Sequence, residues 1–270
     1  LDEALKVFDE MRNRGLRPDT VTFGTLIDGY CLNLRLKDAF KLKEDMVRVY
    51  GVRPNAHVYA SLIKGLCGLG ELSLAFRLKE EMVRNEVRAD SAIYSTLINA
   101  LFKAGRKEEA FRVLEKMSGN GCKPDTVTYN VIINEFCKER DFEVAYRFLD
   151  EMVERGCKPD VISYNVLLGG LCKEGKWSEA SDLFEDMPRR GCAPDIVSYR
   201  IIFDGLCDGM LFKEAAFVLD EMFFKGYAPY HTSIGKIVQG LCKAGNKDLL
   251  SKVLESLVNG VSIDADTQRM

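Results

Sequence analysis

Histidine is almost missing from this chain: His57 and His231 are the only two in 270 residues. With so few, no histidine-centred acid–base pair or nucleophile relay is assembled, and no zinc-ligand spacing recurs. A glycine-rich phosphate loop following a strand is also lacking. No apolar run approaches the ~18 residues that a membrane-crossing helix requires. Positive charge is not in excess either. Thirty-eight Lys and Arg stand against 41 Asp and Glu, a net charge of −3, which excludes a binder that holds phosphates nonspecifically through a basic surface. The opening Leu1-Asp2-Glu3-Ala4 has no initiator methionine and no signal or transit character, and it reads as a cut through a longer chain. Together these absences point away from an enzyme.

What is abundant is repetition. Asp125-Thr126-Val127-Thr128-Tyr129-Asn130 returns as Asp160-Val161-Ile162-Ser163-Tyr164-Asn165 and again as Asp195-Ile196-Val197-Ser198-Tyr199-Arg200, each 35 residues on. Tyr59, Tyr94, Tyr129, Tyr164 and Tyr199 share one slot, with Phe23 and Ile234 in the outer copies. One inserted residue near Tyr50 lengthens the first full copy to 36. A period in this range signals a solenoid of stacked supersecondary units.

Each unit reads as two helices. Tyr129, Ile132, Ile133, Phe136 and Cys137 form one apolar face at i, i+3, i+4, i+7 and i+8. Ala145, Phe148, Leu149 and Met152 form the face of a second helix. Glu174-Gly175-Lys176 breaks the two apart. Gly156, followed by Lys158-Pro159-Asp160, ends the second, glycine suiting a left-handed cap and proline denying the next turn its hydrogen bond. The recurring Ala39, Ala75, Ala110, Ala145, Ala180 and Ala215 predict close helix approach. Met46, Met82, Met117, Met152, Met187 and Met222 continue the apolar face, which favours core over an adaptable ligand surface. Cys31, Cys67, Cys137, Cys172, Cys207 and Cys242 occupy a slot that Phe102 also fills, and Cys122, Cys157 and Cys192 occupy another. A slot open to phenylalanine is apolar packing rather than a disulfide or metal position, and fits a reducing compartment. Trp177 is the sole tryptophan and is expected to pack at the start of a second helix.

The partition that follows is 1–19 as a lone second helix, full repeats at 20–55, 56–90, 91–125, 126–160, 161–195, 196–230 and 231–264, and a tail at 265–270. The fold class is all-α. Neither end resembles a polar cap, so the exposed N-terminal face is expected to promote end-to-end self-association.

Units such as Val127-Thr128-Tyr129-Asn130, Leu171-Cys172-Lys173-Glu174-Gly175-Lys176, Asp150-Glu151-Met152 and Gly156-Cys157-Lys158-Pro159-Asp160 make the chain similar to pentatricopeptide repeat proteins of the plain, P-type class. The resemblance covers nearly the whole chain. It implies a right-handed α-solenoid that binds single-stranded RNA, one base per repeat, in a mitochondrion or chloroplast, without cofactor or catalysis. It assigns base-edge reading to the residue after the Tyr slot and the last residue of the repeat. Here these are Gly24 with Asn55, Ala60 with Asp90, Ser95 with Asp125, Asn130 with Asp160, Asn165 with Asp195, Arg200 with Tyr230, and Gly235 with Asp264. It assigns base packing to Val21, His57, Ala92, Val127, Ile162, Val197 and Thr232. Lys103, Lys138, Lys173 and Lys243 share a slot late in the first helix, which lines the concave face in the family, and they are the phosphate candidates; Leu32, Gly68 and Asp208 interrupt their row. The implied target is roughly A-G-G-U-U-N-G, with the base at Arg200 and Tyr230 open. Plain capping competes with base reading for the same Asn, Ser and Asp, since all are good helix caps; Thr128, Ser163 and Ser198 stand where a cap is expected, which frees Asn130 and Asn165. A protein-interaction scaffold of tetratricopeptide type is the alternative function, and a structural piece of a longer binder is a third.

Overall fold

The computed structural model describes the backbone of residues 1–267 and the side chains of residues 1–258. Among the described residues every element is a helix, and helices alternate between two kinds. The chain divides into two compact units, Leu1–Val131 and Ile132–Met270.

The first unit opens with α1 (Asp2–Asn13). First-layer helices α2 (Thr20–Leu32), α4 (Ala56–Gly68) and α6 (Ser91–Lys103) alternate with second-layer helices α3 (Leu36–Arg48), α5 (Leu72–Arg84) and α7 (Lys107–Gly119). Helix α8 (Thr126–Lys138) spans the division. The second unit continues with first-layer α10 (Val161–Lys173), α12 (Ile196–Asp208) and α14 (His231–Ala244). Its second layer is α9 (Phe142–Glu154), α11 (Trp177–Arg189), α13 (Phe212–Phe224) and α15 (Lys247–Thr267). Within each unit, successive first-layer helices pack side by side (α2 on α4, α4 on α6; α10 on α12, α12 on α14). Helices α3, α5, α11 and α13 each wedge between their own partner and the next first-layer helix. Within each unit one hairpin leaves an apolar face open and the next covers it, so the stacked hairpins of that unit share a core.

The recurring alanines and methionines are that core. Ala39, Ala75, Ala145, Ala180 and Ala215, like all six methionines of the slot, have no exposed surface. The tyrosine slot is amphipathic by necessity: the ring is buried while the hydroxyl reaches the second helix. Tyr59 Oη donates to Glu81 at 3.1 Å and accepts from Asn85 at 2.7 Å, and Tyr94 Oη accepts from Asn120 at 2.8 Å. Cys31, Cys137 and Cys207 are buried, and burial pushes their thiols up to about 11, 12 and 12.

Both turns of each repeat from 20–55 to 196–230 use left-handed backbone. Gly156 (φ +76°) ends α9 and Gly175 (φ +72°) ends α10, positions where a side chain would strain the chain. Leu34, Glu86, Arg140 and Met210 adopt the same conformation with φ of 57–64° and no such licence. Trp177 is the first residue of α11 and lies against α12, where a methyl group on Gly209 would fall 2.6 Å from its ring. The same fit recurs: the first residue of a second-layer helix presses on a small residue of the next first-layer helix, Leu36 on Gly65 and Phe212 on Gly240.

Candidate functional site

The start of every first-layer helix carries the candidate residues. Capping lies three residues earlier than the position expected from sequence. Asp19, Asn55, Asp90, Asp160 and Asp195 are the N-caps of α2, α4, α6, α10 and α12, and Asp125 accepts from the Thr128 amide at 2.9 Å in the same way. Thr128, Ser163 and Ser198 are already inside the helix. Ser163 and Ser198 return a bond to the backbone of the cap residue, closing a capping box. The reason is geometric: an aspartate in extended backbone reaches the amide three residues on, whereas a hydroxyl inside the first turn cannot cap its own helix. Asn55, Asp90, Asp125, Asp160 and Asp195, each the last residue of its repeat, therefore have a structural task whatever else they do, with one side-chain oxygen engaged.

One residue into the first turn comes a row open to solvent. Val21, Val127, Ile162 and Val197 are 71, 59, 61 and 45% exposed, and His57, Ala92 and Thr232 are exposed beside them in the row. Nothing in the fold needs stiff apolar side chains there, one after another.

Three residues further along lie the first members of the pairs, and the structure treats them differently. In the second unit Asn165 and Asp195 are brought together, Asn165 Nδ2 donating to Asp195 Oδ1 at 3.3 Å. Ser198 Oγ lies 2.6 Å from Asn165 Oδ1. A carboxylate only accepts, so it fixes the amide with its NH2 towards Asp195 and its oxygen towards Ser198. Partial burial tends to raise the Asp195 carboxyl, but the Ser198 amide and hydroxyl and the Asn165 amide hold it below its usual range. Arg200 and Tyr230 also meet: the guanidinium lies 4.5 Å above the ring, and Nε donates to the Ala228 carbonyl at 2.9 Å.

In the first unit Ser95 is buried and donates to the carbonyls of Ser91 and Ala92. Burial tends to raise Asp125, but the Ser91 hydroxyl and then Thr128 hold it below its usual range; no hydrogen bond joins it to Ser95. Gly24 is covered by the His57 ring, which a Cβ would meet at 2.9 Å, while Asn55 caps α4. Ala60 is half-buried, and Asp90 is exposed apart from its cap bond to the Ile93 amide. Asn130 is half-buried in α8, and Asp160 is exposed at the start of α10. Around Gly235 a Cβ would meet nothing. The side chain of Asp264 lies outside the described residues, at a point where α15 is still running.

Of the lysine row, Lys103, Lys173 and Lys243 are exposed, and among the described residues none has an ion-pair partner. Lys138 is held by Glu135 at 2.9 Å. Two elements of this layer escaped sequence reasoning. Asp28 and Asp204 accept from the Ser61 and Ser233 hydroxyls of the following helix, at 3.0 and 2.8 Å. Lys236 bridges Asp204 and Asp208 at 2.8 and 2.7 Å. A lysine in a slot otherwise held by Thr25, Ser61, Thr96, Val131, Val166 and Ile201 was the available signal for the second.

Interlocked helical hairpins with a row of unengaged apolar side chains and pinned polar groups at one set of helix starts define an all-α solenoid. The chain belongs to the pentatricopeptide repeat family. The PPR repeat family model matches residues 1–32, 18–68, 54–101, 89–138, 124–173 and 159–208, and a PPR repeat model matches 197–227. Two Arabidopsis thaliana pentatricopeptide repeat-containing proteins, one of them putative, are 46% identical over 41 residues and 48% over 44. These stretches cover 15 and 16% of this chain and 8 and 7% of those proteins. The chain thus matches less than a tenth of these relatives' length. Among solved structures, maize PPR10 superposes with a TM-score of 0.66 at 24% identity, over 97% of this chain and 42% of that one. PPR10 in complex with an 18-nt psaJ RNA element gives 0.51 at 21%, over 96 and 46%. The PPR domain of Arabidopsis thaliana protein-only RNase P 1 in complex with tRNA gives 0.53 at 18%, over 66 and 94%.

Proposed function

We propose that this chain binds single-stranded RNA sequence-selectively, one base to each repeat from 20–55 to 231–264, as a P-type member of its family. The observation that carries it is the start of α10 and α12. There, exposed Ile162 and Val197 flank an amide whose orientation is set by Asp195 and Ser198. Stiff β-branched side chains suit the faces of a base, and an oriented amide suits its Watson–Crick edge. RNA in the complexes of maize PPR10 and of the RNase P 1 domain supports the same ligand class here. The assignment of Asn165 with Asp195, and of Asn130 with Asp160, to uracil follows the family pattern, as does the target A-G-G-U-U-N-G. Stabilisation, processing, splicing or translation of transcripts in a plant mitochondrion or chloroplast is the role we attach to it.

The lysine row is interrupted at Leu32, Gly68 and Asp208 and the net charge is negative, so affinity should come from stacking and base edges and fall only gently with salt. Fluorescence anisotropy with seven-nucleotide RNAs tests this. Oligomers with G-U-U at positions three to five should bind tightest, and Asn165→Ser should move the fifth preference from uracil towards guanine. Equal weak binding to every sequence rejects the proposal and favours the protein-interaction scaffold.

A further inference from the structure

Repeat 196–230 departs from its neighbours at both base-edge positions, and the departures are coupled. Tyr230 stands where the others place Asp or Asn, and α14 consequently starts without a side-chain cap. Loss of such a cap ordinarily costs stability, so Tyr230 does not serve the helix it precedes. It serves Arg200 instead. The Tyr230 ring lies under the guanidinium at 4.5 Å, and the Ala228 carbonyl takes the Nε proton at 2.9 Å. These two contacts settle the plane of the guanidinium and use the one donor that lies off its distal end. Both Nη groups are left without a protein hydrogen-bond partner, and Arg200 forms no ion pair among the described residues. Asp204, one turn further along α12, is already occupied by Ser233 and Lys236. Val197 and Thr232 are exposed on either side of the pair.

We infer that Arg200, positioned by Tyr230, makes this repeat a reader of bases that present two adjacent hydrogen-bond acceptors, guanine or cytosine, against adenine and uracil. The inference rests on the base-reading function proposed above. The distal end of a guanidinium is a planar fork that only donates. Guanine offers O6 and N7 side by side, and cytosine offers N3 and O2. Adenine and uracil alternate donor and acceptor along every edge, so one arm of the fork meets a hydrogen. A matched bidentate contact is worth roughly a fivefold to hundredfold discrimination.

The test is anisotropy on the whole chain with four RNAs that differ only at the sixth nucleotide, alongside four that differ only at the fifth. Guanine, cytosine or both should exceed adenine and uracil at the sixth position by at least about fivefold. A 7-deazaguanine oligomer separates the two supporting cases. Weakening to the adenine level assigns O6 and N7 of guanine, while unchanged binding together with a cytosine preference assigns N3 and O2. Arg200→Lys keeps the charge and loses the fork, so it should lower the favoured oligomers towards the level of the adenine and uracil ones and abolish the preference. Tyr230→Leu should reduce the preference with an unaltered melting curve, because α14 has no cap to lose. Indifference at the sixth position, with uracil still preferred at the fifth, overturns this inference alone; an equal drop for all four oligomers in Arg200→Gln, which loses the charge as well as the fork, reveals a phosphate contact and does the same. Indifference at both positions overturns the base-reading function itself.

Discussion

A glycine and the ring beside it show how tightly single residues are tied to this fold. A Cβ on Gly205 would lie 2.5 Å from Cys172 Sγ and 2.9 Å from Cys172 Cβ, with the Trp177 ring behind them. Gly205→Ala should therefore destabilise the chain by roughly 1–3 kcal/mol through overpacking, seen as a lower urea midpoint. In the first unit the same slot already holds Ala100, which is buried and accommodated, whereas Gly65 and Gly240 are pressed as closely as Gly205 and should respond alike. The opposite sign is expected at Glu86, which sits at φ 61° on the surface. Glu86→Gly should raise stability by about 1 kcal/mol, since the left-handed conformation strains every residue but glycine. The cysteines give a chemical readout of packing. Cys242 is exposed, whereas burial raises the Cys31, Cys137 and Cys207 thiols. A thiol-reactive disulfide reagent at neutral pH should modify Cys242 well before those three, because the thiolate is the nucleophile.

At the scale of the helix, the cap and the binding group share one aspartate. Asp195→Ala removes both and should cost about 0.5–2 kcal/mol, whereas Asp195→Asn keeps an oxygen for the Ser198 amide and should spare most of that stability. In the asparagine variant the Asn165 amide loses its orienting charge, so base selectivity should fall further than stability does. The same carboxylates give the pH dependence its sign. Asp19, Asp125 and Asp195 titrate below their ordinary value of 3.8 when folded. Their contribution is complete above that value and is lost as pH falls through the lowered folded values. Urea midpoints should be flat from neutral pH down to about 4 and then drop, and the drop should be shallower in Asp195→Asn.

Over the whole molecule, two compact units of interlocked hairpins should not melt as one. Leu149 and Met152 are fully buried in α9, in the second unit, and truncating either to Ala should cost about 2–5 kcal/mol. Hydrogen exchange should show protection lost across the hairpins around α9 and α11 while the first unit keeps its own. A single cooperative transition with unchanged denaturant slope would contradict a stability summed over repeats.

Much of this architecture was legible before any coordinates, because packing in a repeat is local. A face at i, i+3, i+4 and i+7 and a glycine before Pro-Asp each specify something within a few residues, and recurrence every 35 residues multiplies the signal. Hence the buried Ala and Met slots, the left-handed Gly156 and the break at Gly175 were readable from the chain alone. What only the tertiary structure decided depends on neighbours one repeat away. It placed the cap on Asp195 rather than Ser198, joined Asp125 to Ser91 rather than Ser95, laid His57 over Gly24, and stacked Arg200 on Tyr230. Each is settled by which side chain from the next helix arrives within about 3–5 Å, a distance that periodicity along one strand of sequence does not contain.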